Sequence, residues 1–186
     1  MNKKGFTLVE LMVVVSVFTI LFTISAGLFS IALKNQRYIR LHRQTLDQIT
    51  YTADNIAAQL RDAKTTQWPT ACIPGGINYT TNITNEGEGV RFLNRDDLCI
   101  EIYLDQDARA LYVANAAGTQ NVIFSPKNFN IQAFKVTIMN PGTGDNGHGD
   151  NGQARVTFMI KAQGPPPDRP EVTIIKTISQ RNLNIP

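Results

Sequence analysis

Lys3-Lys4-Gly5-Phe6-Thr7-Leu8-Val9-Glu10-Leu11 is the stretch on which the reading of this chain turns. Two lysines and a glycine stand directly before a long apolar run. From Leu11 to Leu33 no residue is charged. As a helix rising 1.5 Å per residue, that run is about 35 Å long, enough for a hydrocarbon core of about 30 Å. Glu10 lies just inside it. A carboxylate at that depth is expensive and needs a partner, which makes it a functional candidate by default. Under the positive-inside rule Lys3 and Lys4 mark the cytoplasmic side, so the remainder is expected outside the cytoplasm. Lys34, Arg37, Arg40 and Arg43 at the far end of the run reduce that asymmetry.

A removable secretory signal is the competing reading. Such signals have an apolar stretch of about 7–15 residues and a small-residue cut site. Ser25-Ala26-Gly27 offers a site, but Leu28-Phe29 and Ile31-Ala32-Leu33 carry the apolar character past it, so a retained anchor fits better.

The stretch from Lys3 to Leu11 resembles the processing signal of type IV pilins and of the pseudopilins of type II secretion. The resemblance implies that a prepilin peptidase cuts after Gly5 and that the new amino terminus, Phe6, is N-methylated. It also implies that Glu10 meets the Phe6 amine of a neighbouring subunit during assembly. Pairing within the same chain, one turn back, is the alternative for Glu10, since a helix N-terminus favours an acid in any case. The sequence departs from many major pilins of that family in having no proline between residues 1 and 68; Gly27 is the nearest helix-weakening residue.

The chain has 186 residues and a formal net charge of +3. Loss of Lys3 and Lys4 with the leader leaves +1 before the termini are counted. That balance, without an aromatic-laced basic patch, argues against nucleic acid as a partner. Cys72 and Cys99 are the two cysteines. An even number in an exported domain suggests a disulfide; two unrelated thiols are the alternative.

Beyond Leu33 the composition turns polar while the helical spacing persists. Ile39, Leu46, Ile49, Ala53, Ile56, Leu60 and Ala63 recur at steps of three and four, with His42 filling the gap in the stripe. The spacing predicts one rod that stops near Gln67-Trp68-Pro69, because a proline biases its predecessor away from helix. Residues 73–88 read as a loop pinned by Cys72. Alternating segments follow at Val90–Leu93, Cys99–Leu104, Leu111–Val113, Val122–Phe124, Phe129–Met139, Arg155–Ile160 and Val172–Ile178. Short strands with turn signals between them suggest a meandering antiparallel sheet, whose apolar face the helix stripe can cover. The expected fold is therefore α+β, and the resemblance implies a pilin-like one. It divides into a leader at 1–5, a transmembrane helix at 6–33, an amphipathic continuation at 34–67 and a β-sheet head at 68–186.

The remaining motifs are modest. Gly144-Asp145-Asn146-Gly147 and Gly149-Asp150-Asn151-Gly152 place Asp145 and Asp150 among oxygen donors of the kind calcium takes. The spacing is not that of an EF-hand, and a hairpin tip between two strands needs the same residues. Gly164-Pro165-Pro166-Pro167-Asp168-Arg169-Pro170 reads as a stiff strand connector. The acceptor triplets at Asn78 and Asn82 read as chance matches. No Gly-x-Ser-x-Gly, phosphate loop or metal-ligand cluster occurs, and two histidines are too few for a catalytic reading. The expectation is a structural subunit without cofactor, a minor pilin or pseudopilin. Its partners are the prepilin peptidase, other subunits, and the inner membrane before assembly. Its final place is a periplasmic or cell-surface filament. The runner-up is a single-pass anchored binding module that does not polymerise.

Overall fold

A computed structural model describes residues 5, 7–64, 72–81, 83, 88–115, 120–123, 129–139 and 154–179. The chain forms two compact units, residues 1–40 and 41–186. One helix, α1, runs over Leu8–Arg61. In the first unit its apolar side chains are uncovered: Phe18, Phe22, Leu28 and Phe29 each have about two-thirds of their surface exposed. The helix is long and apolar enough near its start to cross a membrane.

In the second unit the helix buries Thr45, Ile49, Thr52, Ala53, Ile56, Ala57 and Leu60. The expected stripe needs one correction. Ile39 and Leu46 are exposed, and Thr45 and Thr52 take the buried face instead. Their hydroxyls donate to the carbonyls of Leu41 and Gln48, at 2.8 and 3.0 Å. A threonine satisfied by its own preceding turn presents only its methyl to the core, so an apolar stripe drawn from residue type alone passes over it. The helix also ends earlier than Gln67-Trp68-Pro69. Asp62 is a turn, and the backbone N–H of Lys64 donates to the Leu93 carbonyl at 2.9 Å. Pairing with a strand removes Lys64 from the helix before the proline is reached.

Among the described residues the head holds eight strands, β1 (Tyr79–Thr80), β2 (Gly89–Leu93), β3 (Cys99–Asp105), β4 (Ala110–Asn115), β5 (Gln120–Ile123), β6 (Asn130–Met139), β7 (Arg155–Gln163) and β8 (Glu171–Ser179). All pairings among them are antiparallel. They form two sheets where the sequence suggested one, a five-stranded β1-β2-β3-β4-β5 and a three-stranded β6-β7-β8. β1 also lies inside the stretch read as loop; two residues carry too little alternation to register as a strand. β6 comes up against β2, β3 and β4, and the Ile131 N–H donates to the Arg109 carbonyl at 2.8 Å. The two sheets and the helix share one core, in which Phe92, Ile102, Leu111, Phe134, Phe158 and Ile160 are buried with Ile49, Ile56 and Leu60. Away from that core, Arg91 and Glu101 stand directly opposite each other on β2 and β3, with Arg91 Nε 2.7 Å from Glu101 Oε1.

Two side-chain contacts fasten the end of the helix to the head, and a disulfide ties a later residue to β3. Tyr79 Oη donates at 2.6 Å to the Leu60 carbonyl, which also accepts from the Ala63 N–H at 3.3 Å in the last turn. Lys64 Nζ lies 3.0 Å from Asp97 Oδ1 in the β2–β3 turn. Cys72 and Cys99 form a disulfide, their Cα atoms 5.4 Å apart. At the other end of the packed helix, the proline-rich connector joins β7 to β8, and the Gly164 N–H donates to the Pro170 carbonyl at 2.8 Å. A side chain at Gly164 would stand 2.4 Å from Thr45 Oγ1, so the connector runs directly over the buried helix face.

Candidate functional site

The site suggested by the sequence is the first turn of α1. Thr7 caps it. The Glu10 N–H donates to Thr7 Oγ1 at 3.3 Å, and the Leu11 N–H to the Thr7 carbonyl at 3.2 Å. Thr7-Leu8-Val9-Glu10 therefore has the spacing of a capping box, with the acid three residues after the cap. The aligned peptide dipoles of the first turn favour a negative charge at Glu10.

The surroundings of Glu10 are apolar and open. Leu8, Val9, Leu11 and Met12 expose 75%, 69%, 57% and 63% of their surface, so nothing in the chain itself shields the carboxylate or pairs with it among the described residues. Farther along, hydroxyls are satisfied internally. Ser16 donates to the Met12 carbonyl, Thr19 to Ser16 and Thr23 to Thr19, each at 2.8 Å. Glu10 is thus the one charged side chain between Leu8 and Leu33, carried on a surface suited to lipid or to other apolar helices. Gly5, two residues before the cap, is exposed, with open space where a side chain would stand.

Residues 1–26 match a family model described as the prokaryotic N-terminal methylation motif. Over these residues the chain is type IV pilin-like. The match takes in Gly5, Phe6 and Glu10, and with them the uncovered start of α1. The pilin-like architecture follows in the rest of the chain, a long amino-terminal helix with antiparallel sheets. The head lies outside the matched residues, and neither the curated proteins nor the solved structures give a significant match.

Of the other residues singled out in the sequence, Phe6 lies outside the described residues, as do Asp145 and Asp150. The strands on either side of that Gly/Asp/Asn-rich sequence do pair, from Asn130↔Gln163 to Met139↔Arg155. Cys72 and Cys99 are bridged as expected in an exported domain. Residue-type reasoning missed the Thr7 cap, although its signal, Thr-x-x-Glu ahead of an apolar run, was present. It also missed the Tyr79–Leu60 contact. That contact had no local signal, because the two residues meet only when β1 is laid beside the helix end.

Proposed function

We propose that this chain is a structural subunit of a type IV pilus-like or type II secretion filament, in the role of a minor pilin or pseudopilin. A prepilin peptidase cuts it after Gly5, Phe6 is methylated, and the chain waits in the inner membrane with its head outside the cytoplasm. It then joins other subunits through α1. The observation that carries this reading is the methylation motif at residues 1–26 lying on a helix whose only early charge is the uncovered Glu10. Assembly supplies what that carboxylate lacks. An ammonium and a carboxylate are each costly in lipid and relieve one another when paired. Pairing the Phe6 amine of one chain with Glu10 of the next fixes their axial offset.

Mass spectrometry of the native protein tests the first step. The expected species begins at N-methylated Phe6. An intact initiator methionine, or an end near Ala26, overturns the reading. The second reading, an anchored binding module, is favoured only by the self-contained core of the head. A peptidase assay on the whole chain separates the two, since a simple tether has no reason to be cut after Gly5.

A further inference from the structure

Strand β8 closes the three-stranded sheet, and among the described residues it is paired on one side only, with β7. It is nine residues long, Glu171-Val172-Thr173-Ile174-Ile175-Lys176-Thr177-Ile178-Ser179, without proline or glycine. Long, apolar edges of this kind are templates for further strand pairing, and proteins usually blunt them with charge or proline. The one lysine of β8 does not blunt this edge, because Lys176 Nζ pairs with Asp54 on the helix. On the opposite face Glu171, Thr173, Ile175, Thr177 and Ser179 are all exposed. Ile175 has 65% of its surface free. Its neighbour in the row is Met159 on β7, and among the described residues no strand pairs with the other side of the row.

The geometry points to a second copy of this chain as the occupant of that edge, with two β8 strands running antiparallel about a two-fold axis at Ile175. The sequence of the strand is close to self-complementary about this residue. Ile175 meets Ile175, Thr173 meets Thr177, Val172 meets Ile178, Ile174 meets Lys176 and Glu171 meets Ser179. All nine positions are paired, each with a residue of the same face, as the period of two requires. No like charges stand directly opposite, and each lysine keeps its own Asp54. Centring the pair on Lys176 would oppose two lysines, and centring it on Ile174 would leave the end of the strand unpaired. Thr–Thr and β-branched pairs are the favourable cross-strand combinations. The pairing turns two three-stranded sheets into one continuous sheet and gives exposed Ile175 a second apolar neighbour beside Met159. A single strand pair is a small interface, so it depends on the high local concentration that anchoring in one membrane provides. Because an isologous contact closes on itself, it holds chains in pairs and does not propagate. It does not rest on the filament reading, since a tethered module would pair in the same way.

Cysteine cross-linking of the full chain in membranes tests the register. Both native cysteines are bridged, so one added cysteine is the sole thiol. Ile175→Cys should give a disulfide-linked dimer on its own. Thr173→Cys and Thr177→Cys should each give none alone and give a dimer when the two variants are co-expressed. Lys135→Cys, exposed on the far edge strand of the same sheet, should give none. In the co-expressed pair, Ile175→Lys on both chains should abolish the dimer, and Ile175→Lys on one with Ile175→Glu on the other should restore it. Position 175 is exposed, so these changes leave the core intact, and retention of the Cys72–Cys99 bridge reports on folding. No Ile175→Cys dimer from folded protein, an adduct with a different protein in its place, or Lys135→Cys dimers as abundant as those of Ile175→Cys would each overturn the proposal.

Discussion

Glu10 is a single carboxylate at the start of an otherwise uncharged apolar helix, and its consequences are confined to what it pairs with. Glu10→Ala removes a charge that no partner satisfies among the described residues, so insertion and head stability should be unaffected. Incorporation into filaments should fall sharply, measured as co-purification with the other subunits. Normal incorporation would remove Glu10 from the mechanism. Tyr79 has the opposite character: its partner lies within the chain. Burial pushes its phenol well above the usual value of 10.0, while the hydroxyl donates to the Leu60 carbonyl. The folded state holds that proton more tightly than the unfolded chain does. Its stabilising contribution is therefore complete below pH 10 and is lost as pH rises above it. Tyr79→Phe should cost about 1–2 kcal/mol at neutral pH, the usual effect of deleting one buried hydrogen bond. It should also flatten the fall in thermal midpoint above pH 10, and an equally steep fall in the variant would assign that loss to other groups. Gly164 is decided by space alone. With Thr45 Oγ1 at 2.4 Å and Pro170 Cγ at 3.0 Å from where a Cβ would stand, Gly164→Ala should destabilise the head by about 1–3 kcal/mol, as overpacking does, read as a lower thermal midpoint.

At the scale of elements, the head depends on how the helix end is tied to β2 and β3. The Cys72–Cys99 bridge spans a sequence separation of 27, and on the chain-entropy model a loop of that size contributes roughly 3–4 kcal/mol. Replacing both cysteines by serine should lower the thermal midpoint by a matching amount, and reductant should lower that of the native chain to the same value. No difference between the two proteins under oxidising conditions would mean the bridge does not constrain the unfolded chain. The strands show how far pattern reading extends. β7 and β8 alternate over nine residues and were legible in the sequence, as was β3 by residue type although Glu101 to Leu104 are buried in succession. β1 was not, because two residues contain no period.

For the whole molecule, the division at residues 40 and 41 separates two kinds of surface. Before it the helix is uncovered; after it the same helix buries Thr45, Ile49 and the rest of its inner face in the head. A fragment spanning residues 41–186 should therefore fold in water without detergent, form the Cys72–Cys99 bridge, and melt at the temperature of the head in the full chain. A fragment that aggregates or melts well below it would show that the anchor contributes to the core. The boundaries drawn from composition, at residues 33 and 67, answer a different question. Composition marks where side chains become polar, whereas burial marks where a partner surface begins.

The sequence alone determined the apolar span, the lone carboxylate, the processing motif and the α+β class, since each depends on residues that are neighbours along the chain or recur at a fixed period. Only the tertiary structure decided that the strands divide into two sheets, that threonines line the buried helix face, that Lys64 leaves the helix to join Leu93, and that β8 is an edge. Those outcomes depend on which distant segments come within hydrogen-bonding reach, and no local period records that.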